Sequence, residues 1–385
     1  MQSLYGFSAE QIQAHHMAHT ASEIYRQPQT WLSIYEQIDQ RRDEIKAFMQ
    51  QFGPETQVIF TGAGSSGFIG DALAPLIKKE SPFKHVASIH TTDIVATPDQ
   101  YLVPTHKTLL VSFGRSGNSP ESVAAVELAE QCIQEVYHLI ITCNTQGKLA
   151  KFCNPRTLNL TFPEIEDLSF AMTSSVSGMM LAAYSIFSIQ TDLRDTIQQL
   201  AAYADTFNNQ AYHSVFNMVN EDIQRLVVLG SGHLYGAARE SALKTTELTA
   251  GKIATRYDTP MGFRHGPKSF LDEQTVILYF LSASAYTQQY DLDMLQELSL
   301  SKKYKLVVVS DLYQPAAADL ADLYLYNANT KALPEGFAPY MPLLVAQIFS
   351  LKAALCKGCT PDNPFPSGEV NRVVKGVTIH PYPGL

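Results

Sequence analysis

Val58-Ile-Phe-Thr-Gly-Ala-Gly64, followed by Ser65, Ser66 and Gly67, returns further along the chain as Val227-Val-Leu-Gly-Ser-Gly232, followed by His233. Each stretch is a short apolar run, then a glycine turn, then a helix-like segment, over 69–77 in the first copy and 237–248 in the second. Gly62 and Gly230 stand 168 residues apart. The apolar runs that follow keep nearly that offset. Leu109-Leu-Val-Ser-Phe113 pairs with Val276-Ile-Leu-Tyr-Phe280, Leu139-Ile-Ile-Thr142 with Leu306-Val-Val-Val309, and Leu158-Asn-Leu160 with Leu323-Tyr-Leu325. Matches in one order at one spacing mark a duplicated domain. Within each copy the apolar runs alternate with helical stretches. Continuous apolar runs are strands buried on both faces, in a parallel sheet covered by helices. Strand–helix–strand order implies right-handed crossovers and an α/β fold, with ligands at the carboxyl ends of the strands. The turns after the strands are therefore where chemistry is expected.

At 385 residues the chain exceeds the roughly 250–300 at which one hydrophobic core stops growing, in keeping with two domains. The sequence divides into a helical segment over 1–50, broken at Gln27-Pro28, a first domain over 51–190, and a connecting helix over 191–222. A second domain over 223–360 and a proline-rich extended tail over 361–385 complete it. Apolar residues make up 45% and charged residues 17%, an ordinary globular mixture. A net charge of −9 argues against a nucleic-acid partner, which needs a basic patch. It also means that an anionic substrate must be held by local donors. No run approaches the roughly 20 apolar residues of a membrane span. The N-terminal residues lack the basic and apolar regions of an export signal. Five cysteines, an odd number in a large chain, suit reduced thiols, so a cytoplasmic location is expected.

After the run ending at Phe113 comes Gly114-Arg-Ser-Gly-Asn-Ser-Pro-Glu-Ser122 and then a helix. Ser119 fits an N-cap, Pro120 the first helical position, and Ser122 the first turn. Unpaired N–H groups and the helix dipole make such a turn an anion site. Ser116 and Ser119 add hydroxyl donors, and Arg115 adds a bidentate cation. The corresponding turn of the second copy, Ser282-Ala-Ser-Ala-Tyr286, lacks the pattern, so one phosphate pocket per chain is expected. A well-capped helix with a polar turn would look similar, but the arginine and the difference from the repeat partner favour the anion site. No Gly-Lys-Ser/Thr follows, so this is not a Walker loop. Gly62, Gly64 and Gly67 have the spacing of a dinucleotide fingerprint. The acid that should follow, Asp93, lies about 30 residues on rather than the roughly 20 expected.

The helix after Gly232 carries Glu240, Lys244 and Glu247 at i, i+4 and i+7, on one face. A lysine between two glutamates holds both ionised, and Glu247 could then serve as a general base. The same spacing equally describes a solvated face laced with ion pairs. Next comes Phe263-Arg-His-Gly-Pro-Lys268, a loop in which two cations flank His265. A neighbouring cation favours a neutral imidazole, ready to exchange a proton. An ordinary exposed loop histidine fits as well.

Taken together, these stretches resemble the sugar-isomerase (SIS) domain family over nearly the whole chain, as a tandem pair. The matching pieces are Glu23-Ile-Tyr-Arg-Gln-Pro28, Gly62-Ala-Gly-Ser-Ser66, Ser112-Phe-Gly-Arg-Ser-Gly-Asn-Ser-Pro-Glu-Ser122 and Phe170-Ala-Met-Thr-Ser-Ser175. To these are added the segment from Glu240 to Glu247, His265-Gly-Pro267 and Asn371-Arg-Val-Val-Lys-Gly-Val-Thr378. The chain looks most like AgaS-type tagatose-6-phosphate ketose/aldose isomerases and galactosamine-6-phosphate deaminases. It is also similar to the isomerase half of glucosamine-6-phosphate synthase. The resemblance implies two parallel sheets flanked by helices, a flavodoxin-like three-layer sandwich in each domain. It places Ser65, Ser66, Arg115, Ser116, Ser119 and Thr173 at sugar-phosphate-binding positions. It makes Glu247 the base that moves a proton between C1 and C2, with Glu240 and Lys244 beside it. His265 matches the ring-opening residue, which in the family reaches across from a neighbouring subunit, implying a homodimer or larger assembly. Lys375 matches a tail lysine that closes over the sugar. Arg115 departs from the synthase, which has glutamine there.

The synthase carries an N-terminal glutaminase domain, whereas this sequence opens on the isomerase part. Deamination of galactosamine 6-phosphate to tagatose 6-phosphate and ammonia is therefore expected, with neither metal nor cofactor. Plain aldose–ketose isomerisation is the alternative. A sugar-phosphate-sensing binding protein is a third reading, which the intact Glu247 and His265 disfavour. Cys356-Lys-Gly-Cys359 stands alone near the chain end and reads as structural. His15, His16 and His19 lack the glutamate of a zinc helix.

Overall fold

The computed structural model describes residues 3–328, 332–374 and 376–384. Lys375 lies outside the described residues. The chain forms two compact units. One comprises Gln29–Asp167, Ser174–Ile197 and Ser367–Leu385, and is called here the phosphate-loop unit. The other comprises Met1–Pro28, Leu168–Thr173 and Gln198–Pro366, and is called the carboxylate-helix unit.

The phosphate-loop unit is built on five parallel strands, β1 (Gln57–Thr61), β2 (His85–Ser88), β3 (Thr108–Gly114), β4 (Val136–Thr142) and β5 (Thr157–Thr161), in the order β2-β1-β3-β4-β5. The carboxylate-helix unit repeats this with β6 (Arg225–Gly230), β7 (Ala254–Asp258), β8 (Thr275–Phe280), β9 (Lys305–Ser310) and β10 (Leu323–Tyr326), in the order β7-β6-β8-β9-β10. The two orders are one topology, that of flavodoxin-like doubly wound sheets. The central strands are apolar because helices cover both faces: β8 is buried along its whole length, and β3 up to Gly114. Ile59, Leu110 and Ile140 pack with Ala125 and Ala129 of the following helix, and Val227, Ile277 and Leu306 with Leu295 and Leu298 in the other unit.

The repeated glycine turns have the same geometry. Gly64 and Gly232 each open the following helix at φ 55° and 58°, a conformation that suits glycine. A Cβ on Gly62 would lie 2.5 Å from the Ser66 carbonyl carbon, and one on Gly230 2.5 Å from the Leu234 oxygen. The close approach of turn to helix therefore needs glycine at both places.

The N-terminal region is helical, as Ala9–Ala14, Ala18–Tyr25, Gln27–Gln40 and Arg42–Met49. The break falls at Arg26, and Pro28 sits in the first turn of the next helix, where its missing N–H costs nothing. The expected connecting helix is Arg194–Thr206, continued through a wide turn into Tyr212–Met218. No helix or strand is found among the described residues beyond Cys356. One stretch, Glu335–Cys356, reaches membrane-spanning length and hydropathy, which amends the sequence reading that no run approaches it. Of its most apolar part, 83% is buried, as in a core helix.

Candidate active site

In the phosphate-loop unit, Thr61 of β1 is opposite Ser112 of β3. This register sets the turn after β1 beside the turn after β3, at the carboxyl edge of the sheet. Ser65 and Ser66 begin the helix Ser65–Glu80 and are both 5% exposed. The β3 turn feeds the helix Pro120–Cys132, with Ser119 at the N-cap and Pro120 at the first helical position, as the sequence predicts. The Ser119 hydroxyl donates to the Glu121 carboxylate at 2.7 Å instead of capping the helix. The turn is braced from the end of β4. The Thr142 hydroxyl donates to the Gly114 carbonyl at 2.5 Å, Asn144 Nδ2 to the Ser116 carbonyl at 3.1 Å, and the Leu149 N–H to the Gly117 carbonyl at 3.0 Å. Gly117 is at φ 61°. The Ser116 hydroxyl accepts from the Asn118 N–H at 3.2 Å. Arg115 is 6% exposed, and its Nη2 donates to the Arg372 carbonyl at 3.0 Å.

The second copy fills the equivalent place differently. Asp291, from the helix Ala285–Ser299, accepts from the Ser231 hydroxyl at 2.6 Å and from the Ser282 N–H at 3.0 Å. An internal carboxylate thus ties the turn after β6 to the turn after β8. Burial pushes the Asp291 carboxyl above the ordinary range, against the lowering effect of those two bonds.

In the carboxylate-helix unit, His233–Leu248 packs on β6, β7 and the helix Tyr340–Cys356. Its alanines, serines and threonines permit close approach, and the Thr245 and Ser350 hydroxyls meet at 2.7 Å. The part of the face that carries Glu240 and Lys244 is consequently buried. Lys244 is fully buried and Glu240 is 2% exposed. The Lys244 ammonium contacts Glu247 directly and lies 3.4 Å from Glu240. The Glu247 side chain keeps 24% of its surface exposed. The arrangement is a buried cation with one carboxylate behind it and one in front, open to solvent. It can present the Glu247 carboxyl group, held by a lysine, to a carbon acid.

Thr173 belongs to this unit, at the end of a buried segment. Ala171 packs against Leu248, next to Glu247, and the Thr173 carbonyl accepts from Gln347 Nε2 at 3.4 Å. Glu23, missed as a site residue in the sequence, is 2% exposed and holds the same segment. It accepts from the Leu168 N–H at 2.5 Å, the Ser169 N–H at 3.2 Å and the Ser169 hydroxyl. Its place in the quoted motif Glu23–Pro28 was the available signal.

His265 is exposed, between the helix Pro260–Phe263 and Gly266 at φ 113°. Its flanking cations face away from the expected role. Arg264 Nε lies 2.9 Å from Glu297, Lys268 pairs with the other oxygen at 2.5 Å, and both hold that carboxyl below the usual range. The five cysteines are all free thiols. Cys356 and Cys359 donate weakly to the carbonyls of Val219 and Lys357, at 3.9 and 3.8 Å.

A model of the SIS domain matches residues 52–189. The D-galactosamine-6-phosphate deaminase AgaS of Escherichia coli is 42% identical over 377 residues, covering 94% of this chain and 96% of that protein. A solved structure from Clostridium novyi NT superposes with a TM-score of 0.95 at 39% identity, covering 99% of this chain and all of that one. The structure of tagatose-6-phosphate ketose/aldose isomerase from Escherichia coli gives a TM-score of 0.86 at 39% identity, over 94% and 96% of the two chains.

Proposed function

Because the chain belongs to the SIS-domain family, in its AgaS branch, we propose that it is a cytoplasmic enzyme that deaminates galactosamine 6-phosphate to tagatose 6-phosphate and ammonia. The buried Glu240–Lys244–Glu247 triad carries the reading, since a sugar-sensing module has no need to hold an ionised carboxylate against a desolvated lysine. The phosphoryl group goes to the braced turns after β1 and β3, where Ser65, Ser66, Ser116 and Ser119 supply hydroxyls and Arg115 a guanidinium. Thr173 and Lys375 add contacts to the substrate.

His265 moves a proton between the ring oxygen and the C1 hydroxyl, which opens the pyranose. Glu247 takes the C2 proton, the electron pair left at C2 becomes the C1–C2 double bond, and the C1 carbonyl pair moves to O1, which takes up a proton, giving an enolamine whose amine later gives up an N–H as it becomes the imine. The proton returns to C1, leaving a C1 hydroxymethyl group and a C2 imine. Water adds to the imine carbon, the C–N bond breaks, and ammonia leaves as the ketose forms. Lys244 holds the Glu247 carboxylate in place for both transfers. The exposed setting of His265 supports its service to a neighbouring copy, so the working form is a homodimer or larger.

The test is ammonia release and ketose formation from galactosamine 6-phosphate, with glucosamine 6-phosphate, N-acetylated forms and tagatose 6-phosphate alongside. Stoichiometric ammonia and ketose are expected. In Glu247→Gln both should fall by roughly 10²–10⁴-fold. Interconversion of tagatose 6-phosphate with its aldose, without ammonia from any amino sugar, would replace deamination by plain isomerisation.

A further inference from the structure

The C-terminal tail touches the phosphate loop, and a chain of bonds stands behind that contact. Arg115 Nη2 donates to the main-chain carbonyl of Arg372 at 3.0 Å, across 257 residues of sequence. The Arg372 guanidinium in turn donates to the Asp167 carbonyl and stands 3.8 Å from the Glu166 carboxylate. Asp167 is fully buried. Its carboxylate accepts from the Ser174 N–H at 3.1 Å, the Ser174 hydroxyl at 2.6 Å, the Ser175 N–H at 2.9 Å and the Ser175 hydroxyl at 2.5 Å. It thereby caps the helix Ser174–Phe187.

A guanidinium is planar, with five N–H donors in a rigid fork, so fixing one of them fixes the directions of the rest. Arg115 is 6% exposed and has little room to turn. Its bond to the tail therefore helps to fix the plane of its other donors. We propose that Arg372, in the C-terminal tail, is a positioning residue that orients Arg115 at the phosphate loop. The inference rests on the reading of the β3 turn as a phosphoryl-binding loop. Arg372 touches no substrate in this scheme; it acts through Arg115.

Thermal melting in rising inorganic phosphate tests this, using the full chain with Arg372→Gln and Arg372→Lys. A ligand that binds the folded state raises the Tm by an amount set by its concentration over its Kd. The wild-type chain should be stabilised by phosphate. In Arg372→Gln the apparent phosphate Kd should weaken roughly tenfold, the size of one charge-assisted hydrogen bond misaligned. The KM for galactosamine 6-phosphate should rise by a similar factor. Arg372→Lys, which keeps the charge near Glu166 but not the planar fork, should fall between. A merely structural role would lower the starting Tm and leave the apparent phosphate Kd alone, and that result in both variants overturns the proposal. No phosphate effect on the wild-type chain would instead remove the phosphate-loop reading itself, and the proposal with it.

Discussion

Replacing Lys244 by methionine removes the cation that Glu240 and Glu247 both face while roughly keeping its volume. Lys244 is fully buried and Glu240 is 2% exposed, so the Glu240 carboxylate cannot turn to water for compensation. Breaking a buried ion pair by deleting one partner costs about 3–5 kcal/mol, because the other charge stays desolvated. Glu247, with 24% of its side chain exposed, should add little to that loss. In a unit of about 200 residues, each kcal/mol moves Tm by roughly 2–4 °C, so a fall of roughly 6–20 °C is expected. Calorimetry on the single variant reads this directly. The double variant Glu240→Gln, Lys244→Met removes the stranded charge and should recover more than half of the loss, a coupling that a double-mutant cycle isolates. A single-variant loss below about 1 kcal/mol would mean that the triad is solvated like a surface pair. A double variant no better than the single would mean that packing, and not the charge on Glu240, sets the cost. Either result refutes the argument.

His265 is exposed, so His265→Asn should leave stability within about 0.5 kcal/mol while lowering kcat for ammonia release by roughly 10²–10⁴-fold; stability and turnover measured on one preparation separate the two. Asp291 supplies a pH signature. Its carboxyl is pushed up by burial, so the folded chain binds this proton more tightly than the unfolded one, and its contribution to stability falls as pH rises through that raised value. Asp291→Asn lacks the slope, and the Tm of the variant relative to wild type should climb as pH rises above the ordinary carboxylate range; a flat or falling difference would show the wild-type carboxyl to be well solvated.

How much of this could be read in advance depended on where each partner lies in the chain. The central strands β1, β3, β4, β6, β8 and β9 announce themselves because both faces are buried, so each carries a continuous apolar run. Edge strand β7, Ala-Thr-Arg-Tyr-Asp, has one neighbour and mostly exposed or half-buried positions, and nothing in its composition separates it from a loop. The triad spacing was visible, but its burial was not, since i, i+4, i+7 is common to solvated and buried faces. What decides burial is the helix Tyr340–Cys356, whose apolar run is interrupted in sequence by Gln347 and Ser350. Those interruptions are themselves core contacts: Gln347 accepts from Gln27 Nε2 at 2.6 Å, and Ser350 meets Thr245. A polar residue inside an apolar helix therefore reads as a break in the core until its distant partner is known. Arg115 is the sharpest case. Sequence places it in an anion loop, and the loop is there. One group that holds its guanidinium, however, is a backbone carbonyl of the tail, and a carbonyl is present at every residue and leaves no mark in any sequence. Only the side chain of Arg372, inside the recognisable stretch Asn371–Thr378, gives that contact a handle that substitution can reach.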